Sequence, residues 1–180
     1  MQALIPRLRT ERLLLREPRS EDFEGFAAHL ADPLANEYTP GVVAERRVSF
    51  RHFAASAGYW VLTGAGWWML ELLATGEVVG TVGAFFRETA LDPASPRPLE
   101  LGWSVYRAHW RQGFAGEAAA AALAHALPAH RPARVIAHID GANLASIAVS
   151  RRLGMRYEGE VDFYGGRVGR YALPDAALAP

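Results

Sequence analysis

Residues Pro98 to Leu127 read PLELGWSVYRAHWRQGFAGEAAAAALAHAL, and the pattern changes from strand to helix within this stretch. Leu99, Leu101, Trp103 and Val105 fall on one face at period two, with Glu100, Gly102 and Ser104 on the other. Gly102 has no side chain to pack, which predicts a bulge or a close backbone approach. The turn Arg111-Gln112-Gly113-Phe114-Ala115-Gly116 then opens directly into an alanine-rich helix. A helix start carries unpaired N–H groups and a partial positive charge, so it suits an anion such as a phosphate. The small residues Gly113, Ala115 and Gly116 would let such a group reach the backbone itself. A glycine turn also occurs as a plain helix entry with no ligand. Neither G-x-x-x-x-G-K-[ST] nor a G-x-G-x-x-G after a strand is present here.

Composition narrows the chemistry further. The 180 residues, 51% of them hydrophobic, suffice for one well-buried domain over 1–180. Nineteen basic residues balance nineteen acidic ones, so nothing favours a nucleic-acid partner. No apolar run reaches the roughly 18 residues of a membrane span, and the opening MQALIPRLRT lacks a signal peptide's apolar core. No membrane partner and a cytoplasmic location are therefore expected. The chain has no cysteine, which removes disulfides, thiolate metal sites and a cysteine acyl-enzyme. All 19 basic residues are arginine, which excludes a lysine Schiff base. The six histidines show neither H-x-x-x-H nor H-E-x-x-H spacing, so no metal is expected. No G-x-S-x-G elbow supports a serine acyl-enzyme.

From the start, Thr10 to Arg16 has strand length, and Ser20 is placed to cap a helix running to Ala31, ended by Asp32-Pro33. Residues 33–43 read as loop, and a second helix covers Ala44 to Leu62. Gly64-Ala65-Gly66 turns into a strand over Trp67 to Leu73, and Thr75-Gly76 makes its hairpin with Glu77 to Phe86. Trp67-Trp68-Met69 reads as hairpin core rather than an aromatic substrate cage. Residues 88–98 are proline-rich loop. Pro128 and Pro132 bracket a turn before a buried strand, Arg134 to Ile139, in which His138 reads as a sheet histidine. Asn143 then caps a helix that ends at Leu153 with Gly154 as its stop. Met155 to Val161 and Val168 to Leu173 close the chain as a hairpin around Gly165-Gly166.

Several of these segments resemble the GNAT superfamily of N-acetyltransferases. Trp110-Arg111-Gln112-Gly113-Phe114-Ala115 resembles the family's acetyl-CoA loop, Q/R-x-x-G-x-G/A, matching it at Gly113 and Ala115. Trp110 at the first position is similar to the RimJ/RimL type, the ribosomal-protein N-terminal acetyltransferases, although Arg111 and Gly116 stand where that type has Gly and Thr. Asp140-Gly141-Ala142-Asn143-Leu144-Ala145-Ser146, followed by Leu153-Gly154-Met155, resembles the second family signature. Thr10 to Arg16 resembles the RimJ/RimL opening, and Val78 to Gly83 the third family strand. The resemblance implies an α/β fold: a twisted mixed sheet of six or seven strands flanked by about four helices. Its fourth and fifth strands, Leu99–Val105 and Arg134–Ile139, would splay apart to admit acetyl-CoA.

The same resemblance assigns roles. Backbone amides from Gln112 to Glu117 (Gln112, Gly113, Phe114, Ala115, Gly116, Glu117) would hold the pyrophosphate, aided by Arg111 or Arg107. The strand at Trp103, Ser104 and Val105 would hydrogen-bond the pantetheine arm. Asn143 and Ser146 would contact the coenzyme, and Asn143 is a helix cap in any case. Glu100 matches the family's strand carboxylate and is the general-base candidate; the other reading is a sheet carboxylate paired with a neighbouring arginine. Ser146 is the acid candidate for the departing thiolate, or else a first-turn serine bonding backbone. Tyr157 is the reserve acid, or else a core tyrosine. The acceptor, a peptide N-terminus or a small amine, would enter opposite the coenzyme, between residues 33–62 and the hairpin near Phe163-Tyr164. Direct attack in a ternary complex is the economical mechanism. A catalytically idle acyl-CoA-binding sensor or scaffold would need the same Gly113 loop and would differ at Glu100 and Ser146. Exposed strand edges in this fold are compatible with a homodimer.

Overall fold

The computed structural model describes residues 5–39, 44–87 and 98–178. The sequence readings for 40–43 and 88–97 lie outside the described residues. Eight strands form one sheet: β1 (Leu8–Arg9), β2 (Leu13–Arg16), β3 (Gly66–Leu72), β4 (Val78–Phe86), β5 (Pro98–Val105), β6 (Arg134–Ile139), β7 (Arg156–Phe163) and β8 (Gly166–Ala172). Their spatial order is β1-β2-β3-β4-β5-β6-β8-β7. The two-residue β1 takes the sheet past the six or seven strands expected. Every neighbouring pair is antiparallel except β5 and β6, so the sheet is mixed. Among the described residues four α-helices accompany it: α1 (Phe23–Ala31), α2 (Arg46–Thr63), α3 (Phe114–His130) and α4 (Leu144–Arg152).

Alternation along the strands assigns side chains to two faces. Leu99 and Leu101 of β5, with Trp68 and Leu70 of β3, join the core that α3 covers. Ala118, Ala119, Ala122 and Ala126 line the buried side of α3, and their small size lets the helix lie close to the sheet. The other face carries Trp67, Phe85, Glu100 and Ser104. There Tyr59 of α2 meets Phe85 with ring centroids 5.5 Å apart, and His29 of α1 reaches Ser104.

Gly102 makes no bulge. It pairs in register with Gly83, and the register shifts fall instead at Leu70/Glu71 and Tyr157/Gly159. The close approach is made by an indole rather than by backbone. Trp67, Gly83 and Gly102 stand in one cross-strand row. A Cβ on Gly83 would lie 2.6 Å from Trp67 Cδ2, and one on Gly102 would lie 2.5 Å from Cη2. Two missing side chains make the slot for one ring. Trp68 and Met69 are fully buried as the hairpin-core reading expects, whereas Trp67 is half-buried.

Two helix ends differ from expectation. Ser20 does not cap α1; it opens a 3-10 turn over Ser20–Asp22. Asp22 stands at the N-cap of α1, but its carboxylate turns back to accept the Arg19 backbone N–H at 2.7 Å and two hydrogen bonds of 2.7 and 2.8 Å from the buried Arg16. Pro128 does not end α3, which runs on to His130. A proline in the last turn forfeits one helical hydrogen bond, but the two turns of buried alanine before it hold the helix in place. The stop is Arg131, left-handed at φ 43, whose N–H bonds the Leu127 carbonyl at 2.9 Å ahead of Pro132.

Gly102→Ala should lower stability by about 1–3 kcal/mol through overpacking against Trp67. Urea melts should show the loss, and adding Trp67→Leu to the same chain should return part of it.

Candidate functional site

The parallel ladder between β5 and β6 covers Pro98–Arg134, Leu99–Val135 and Glu100–Ile136, and then stops. Beyond it β5 continues to Val105 bound only to β4, while β6 continues to Ile139 bound to β8. The two strands that sequence reading numbered fourth and fifth, β5 and β6 with the short β1 counted, are therefore the splayed pair. Their facing backbone edges line a split. On the α4 side, Trp103 Nε1 donates to Ser146 Oγ at 3.2 Å across this gap. Asn143 Oδ1 accepts the Ser146 N–H at 3.0 Å, so the expected cap is present and fixes the start of α4 against the split.

At the far end of β5 the chain makes the glycine turn. Trp110, the departure from the family loop, donates its indole N–H to the Val105 carbonyl at 2.7 Å and so ties the turn to the strand. Arg111 and Gly113 both adopt positive φ, 63° and 83°, and Gly113 is the N-terminal cap of α3. The first helical N–H groups, those of Phe114, Ala115 and Gly116, have no carbonyl one turn back to bond. A Cβ on Gly116 would meet nothing within 4 Å. The Glu117 N–H is not among the available amides, because it bonds the Gly113 carbonyl at 3.2 Å. Its carboxylate faces the other way and accepts from Thr10 Oγ1 at 2.6 Å, the Arg12 N–H at 2.9 Å and Arg12 Nε at 2.8 Å. Burial opposes ionisation of Glu117, yet these donors hold its carboxyl below the ordinary range. Arg107 is engaged with Asp32 at 2.7 Å, which leaves the exposed Arg111 as the arginine beside the turn.

Glu100 occupies the face opposite α3, at the last paired position before the split. It is 5% exposed and fully engaged. Arg87 grips both carboxylate oxygens, with Nη2 2.6 Å from Oε1. His138 of β6 brings Nδ1 to 3.2 Å from the same Oε1, off the ideal hydrogen-bond line. Burial alone would raise the Glu100 pKa, but His138 and Arg87 outweigh it and hold the carboxyl below its ordinary value. Arg87 in turn lies over the Phe163 ring at 4.7 Å and donates to the Tyr164 hydroxyl at 2.9 Å. The Ser104 hydroxyl is engaged with His29 Nε2 at 2.7 Å, so its side chain belongs to the α1 contact. Burial lowers the His29 pKa, with Asp32 only partly opposing.

Sequence reading found Glu100 but not Arg87, and it read His138 only as a sheet histidine. Tyr157 lies elsewhere: β8 stands between β7 and β6, and the ring is 56% exposed, packed on Tyr171 rather than buried in the core. Among the described residues no group of three or more His, Asp or Glu could hold a metal, and no helix is long and apolar enough to cross a membrane.

A split beside a helix start that offers free amides is the arrangement of a known enzyme class. The acetyltransferase (GNAT) domain model matches residues 12–156, and the chain belongs to that family. It is a GNAT-family N-acetyltransferase, and such enzymes use acetyl-CoA. It is 26% identical to the uncharacterized N-acetyltransferase YoaA of Bacillus subtilis over 162 residues, 89% of each chain. An acetyltransferase structure from Agrobacterium tumefaciens is similar at TM-score 0.81 and 28% identity, over 94% of this chain and 95% of that one. RimL, an α-N-protein acetyltransferase of a ribosomal protein solved with coenzyme A, shares the fold at TM-score 0.76 and 17% identity, over 95% and 99% of the two chains.

Arg87→Ala should leave Glu100 as a buried charge without its main partner, costing about 3–5 kcal/mol at pH 7.5. A carboxyl with a lowered folded-state pKa contributes stability above its unfolded pKa of about 4.3 and loses it as pH falls through the folded value. The variant's Glu100 protonates at higher pH than the wild type's, so the gap between the two should narrow on acidification. Urea midpoints at pH 7.5 and pH 5 would measure it.

Proposed function

We propose that this chain transfers the acetyl group of acetyl-CoA to a primary amine, either a protein N-terminal α-amine or a small-molecule amine, by direct attack in a ternary complex. In type it resembles RimJ/RimL. One observation carries this reading: the open β5 edge runs straight into the free amides of α3. The donor set fits the coenzyme. Amides from Gln112 through Gly116, with Arg111, suit a pyrophosphate, and the open space at Gly116 lets it approach the backbone. Charge-assisted contacts of this kind are worth about 1.5–3 kcal/mol each.

The backbone of Trp103, Ser104 and Val105 offers strand-like hydrogen bonds to the peptide-like pantetheine arm, and one N–H there polarises the thioester carbonyl. Seating that arm displaces or reorients the Trp103–Ser146 hydrogen bond, which frees the Ser146 hydroxyl to hydrogen-bond the departing sulfur. A thiol pKa near 8.5 asks little more of it. Asn143 keeps α4 in place. Glu100 supports the base step from the opposite face. The acceptor enters on that face, between α2 and the Phe163-Tyr164 turn. A cleft of about 280 Å³ between α2 and the end of β4 is lined by Ala55, Tyr59, Leu62, Phe86 and Arg87.

Gly116→Glu is the discriminating variant. Its backbone is ordinary helix, so a glutamate in the first turn should hold or raise the melting temperature. The same carboxylate should weaken acetyl-CoA binding by about 10- to 100-fold, the equivalent of one charged contact. Calorimetry on both proteins checks this, and failure of the wild type to bind would end the reading. Ser146→Ala should keep coenzyme affinity and slow thiol release with a peptide N-terminus or a simple amine. Binding without transfer to any amine would leave only a coenzyme-binding module.

A further inference from the structure

His138 is not used by the reading above, yet it stands at the split. It sits on β6 two residues beyond Ile136, the last residue of that strand paired to β5, so it marks the mouth of the split. Its neighbour across the gap in register would be Gly102, which has no side chain. Nδ1 is buried, lies 3.2 Å from Glu100 Oε1 off the hydrogen-bond line, and has no hydrogen-bond partner among the described residues. The imidazole ring then directs Nε2 away from Glu100 by its own covalent geometry. Phe163 packs on the ring with centroids 4.8 Å apart and 36° between planes, which restricts its rotation. Glu100 itself is a poor direct base. Its carboxylate is buried, both oxygens are engaged by Arg87, and an approaching amine would have to displace a guanidinium.

We propose that His138 takes the acceptor amine's proton through Nε2, and that Glu100 is its positioning residue. The inference rests on the transferase reading and names the base within it. The amine nitrogen forms the C–N bond to the acetyl carbon as the C–S bond breaks with its electron pair on sulfur. The amine proton passes to Nε2. A small turn of the ring brings Nδ1–H onto Glu100 Oε1, which fixes the tautomer and steadies the imidazolium, as a carboxylate does for other catalytic histidines. Sulfur leaves as thiolate, hydrogen-bonded by Ser146, and is protonated from solvent. The charged groups around the ring are Glu100 from β5, Arg87 after β4, and Arg170, its register partner on β8. Arg170 is occupied by Glu158 at 3.0 Å, so it does not compete for Nδ1.

The test uses the full chain with acetyl-CoA and two acceptors: a synthetic peptide with a free N-terminal alanine, and 2-phenylethylamine. An α-amine titrates near pH 7.7–8.0 and an alkylamine near 10.4 on a lysine-like scale, so the second depends far more on a base. His138→Gln and His138→Asn should keep coenzyme affinity and lower kcat at pH 7.5 by about 10²-fold or more with the alkylamine. The loss should be smaller with the peptide and should shrink as pH rises. Glu100→Gln should alter the pH profile of kcat/KM while leaving coenzyme affinity intact. Long-range proton–nitrogen spectra of the histidine rings should place the neutral His138 proton on Nδ1 in the wild type. A proton on Nε2, or unchanged rates and pH profile in both His138 variants, overturns the proposal while the transferase reading stands. No transfer to either amine by the wild type, with acetyl-CoA bound, removes both.

Discussion

Three residue pairs join β5 to β6, and the site depends on the ladder ending there. Each strand is secured from its outer side, β5 by β4 as far as Val105 and β6 by β8 as far as Ile139. The gap is thus built into the sheet, unlike a frayed margin. Backbone N–H and C=O groups out of water need partners, and an open strand edge is a template for an extended, hydrogen-bonding guest. The helix that follows β5 crosses over to β6, so its start falls at the end of the same open edge. One continuous segment, Pro98 to His130, therefore lays out both a strand-like slot and an anion-seeking turn.

Around that gap the elements are pinned by arginine. The buried Arg16 joins β2 to the turn before α1 and to Glu71 of β3. Arg12 joins the β1–β2 connection to the first turn of α3 through Glu117. Arg87 joins the end of β4 to Glu100 and to the turn at Tyr164. Each guanidinium offers donors in a planar fork, which a single ammonium could not match at two or three acceptors together. In a chain without lysine, these contacts fix where the N-terminal strands, the helix start and the closing hairpin stand relative to the split. The carboxyls of Glu100 and Glu117 are held below their ordinary range by these donors, so those two pins persist under ordinary conditions.

Much of this was legible in the sequence where the cause is local. Period-two alternation from Leu99 to Val105, the glycine turn at Gly113 and the Asn143 cap each depend on a few neighbouring residues, and each stands where expected. What escaped depends on register between distant strands. Arg87 meets Glu100 because the β4–β5 hairpin pairs Phe85 with Glu100, and His138 meets it because the parallel ladder pairs Glu100 with Ile136. Neither offset is written in the spacing of any one segment. The readings at Ser20 and Pro128 followed propensity. At the first, the longer reach of Asp22 takes over the turn; at the second, α3 is already held by its buried alanine face. Gly102 signalled a close approach correctly, but the approaching partner, Trp67, lies two strands away.

That indole has a consequence for how such a chain can change over generations. Trp67 fills the volume that side chains on Gly83 and Gly102 would occupy, so the three positions form one fitted unit across three strands. Enlarging either glycine first meets the ring, and shrinking the tryptophan first leaves a hole beneath the row. Any route to a different floor for this face of the sheet passes through a less stable intermediate. Relatives that keep the tryptophan are expected to keep both glycines, and those that lose it are free to vary them together.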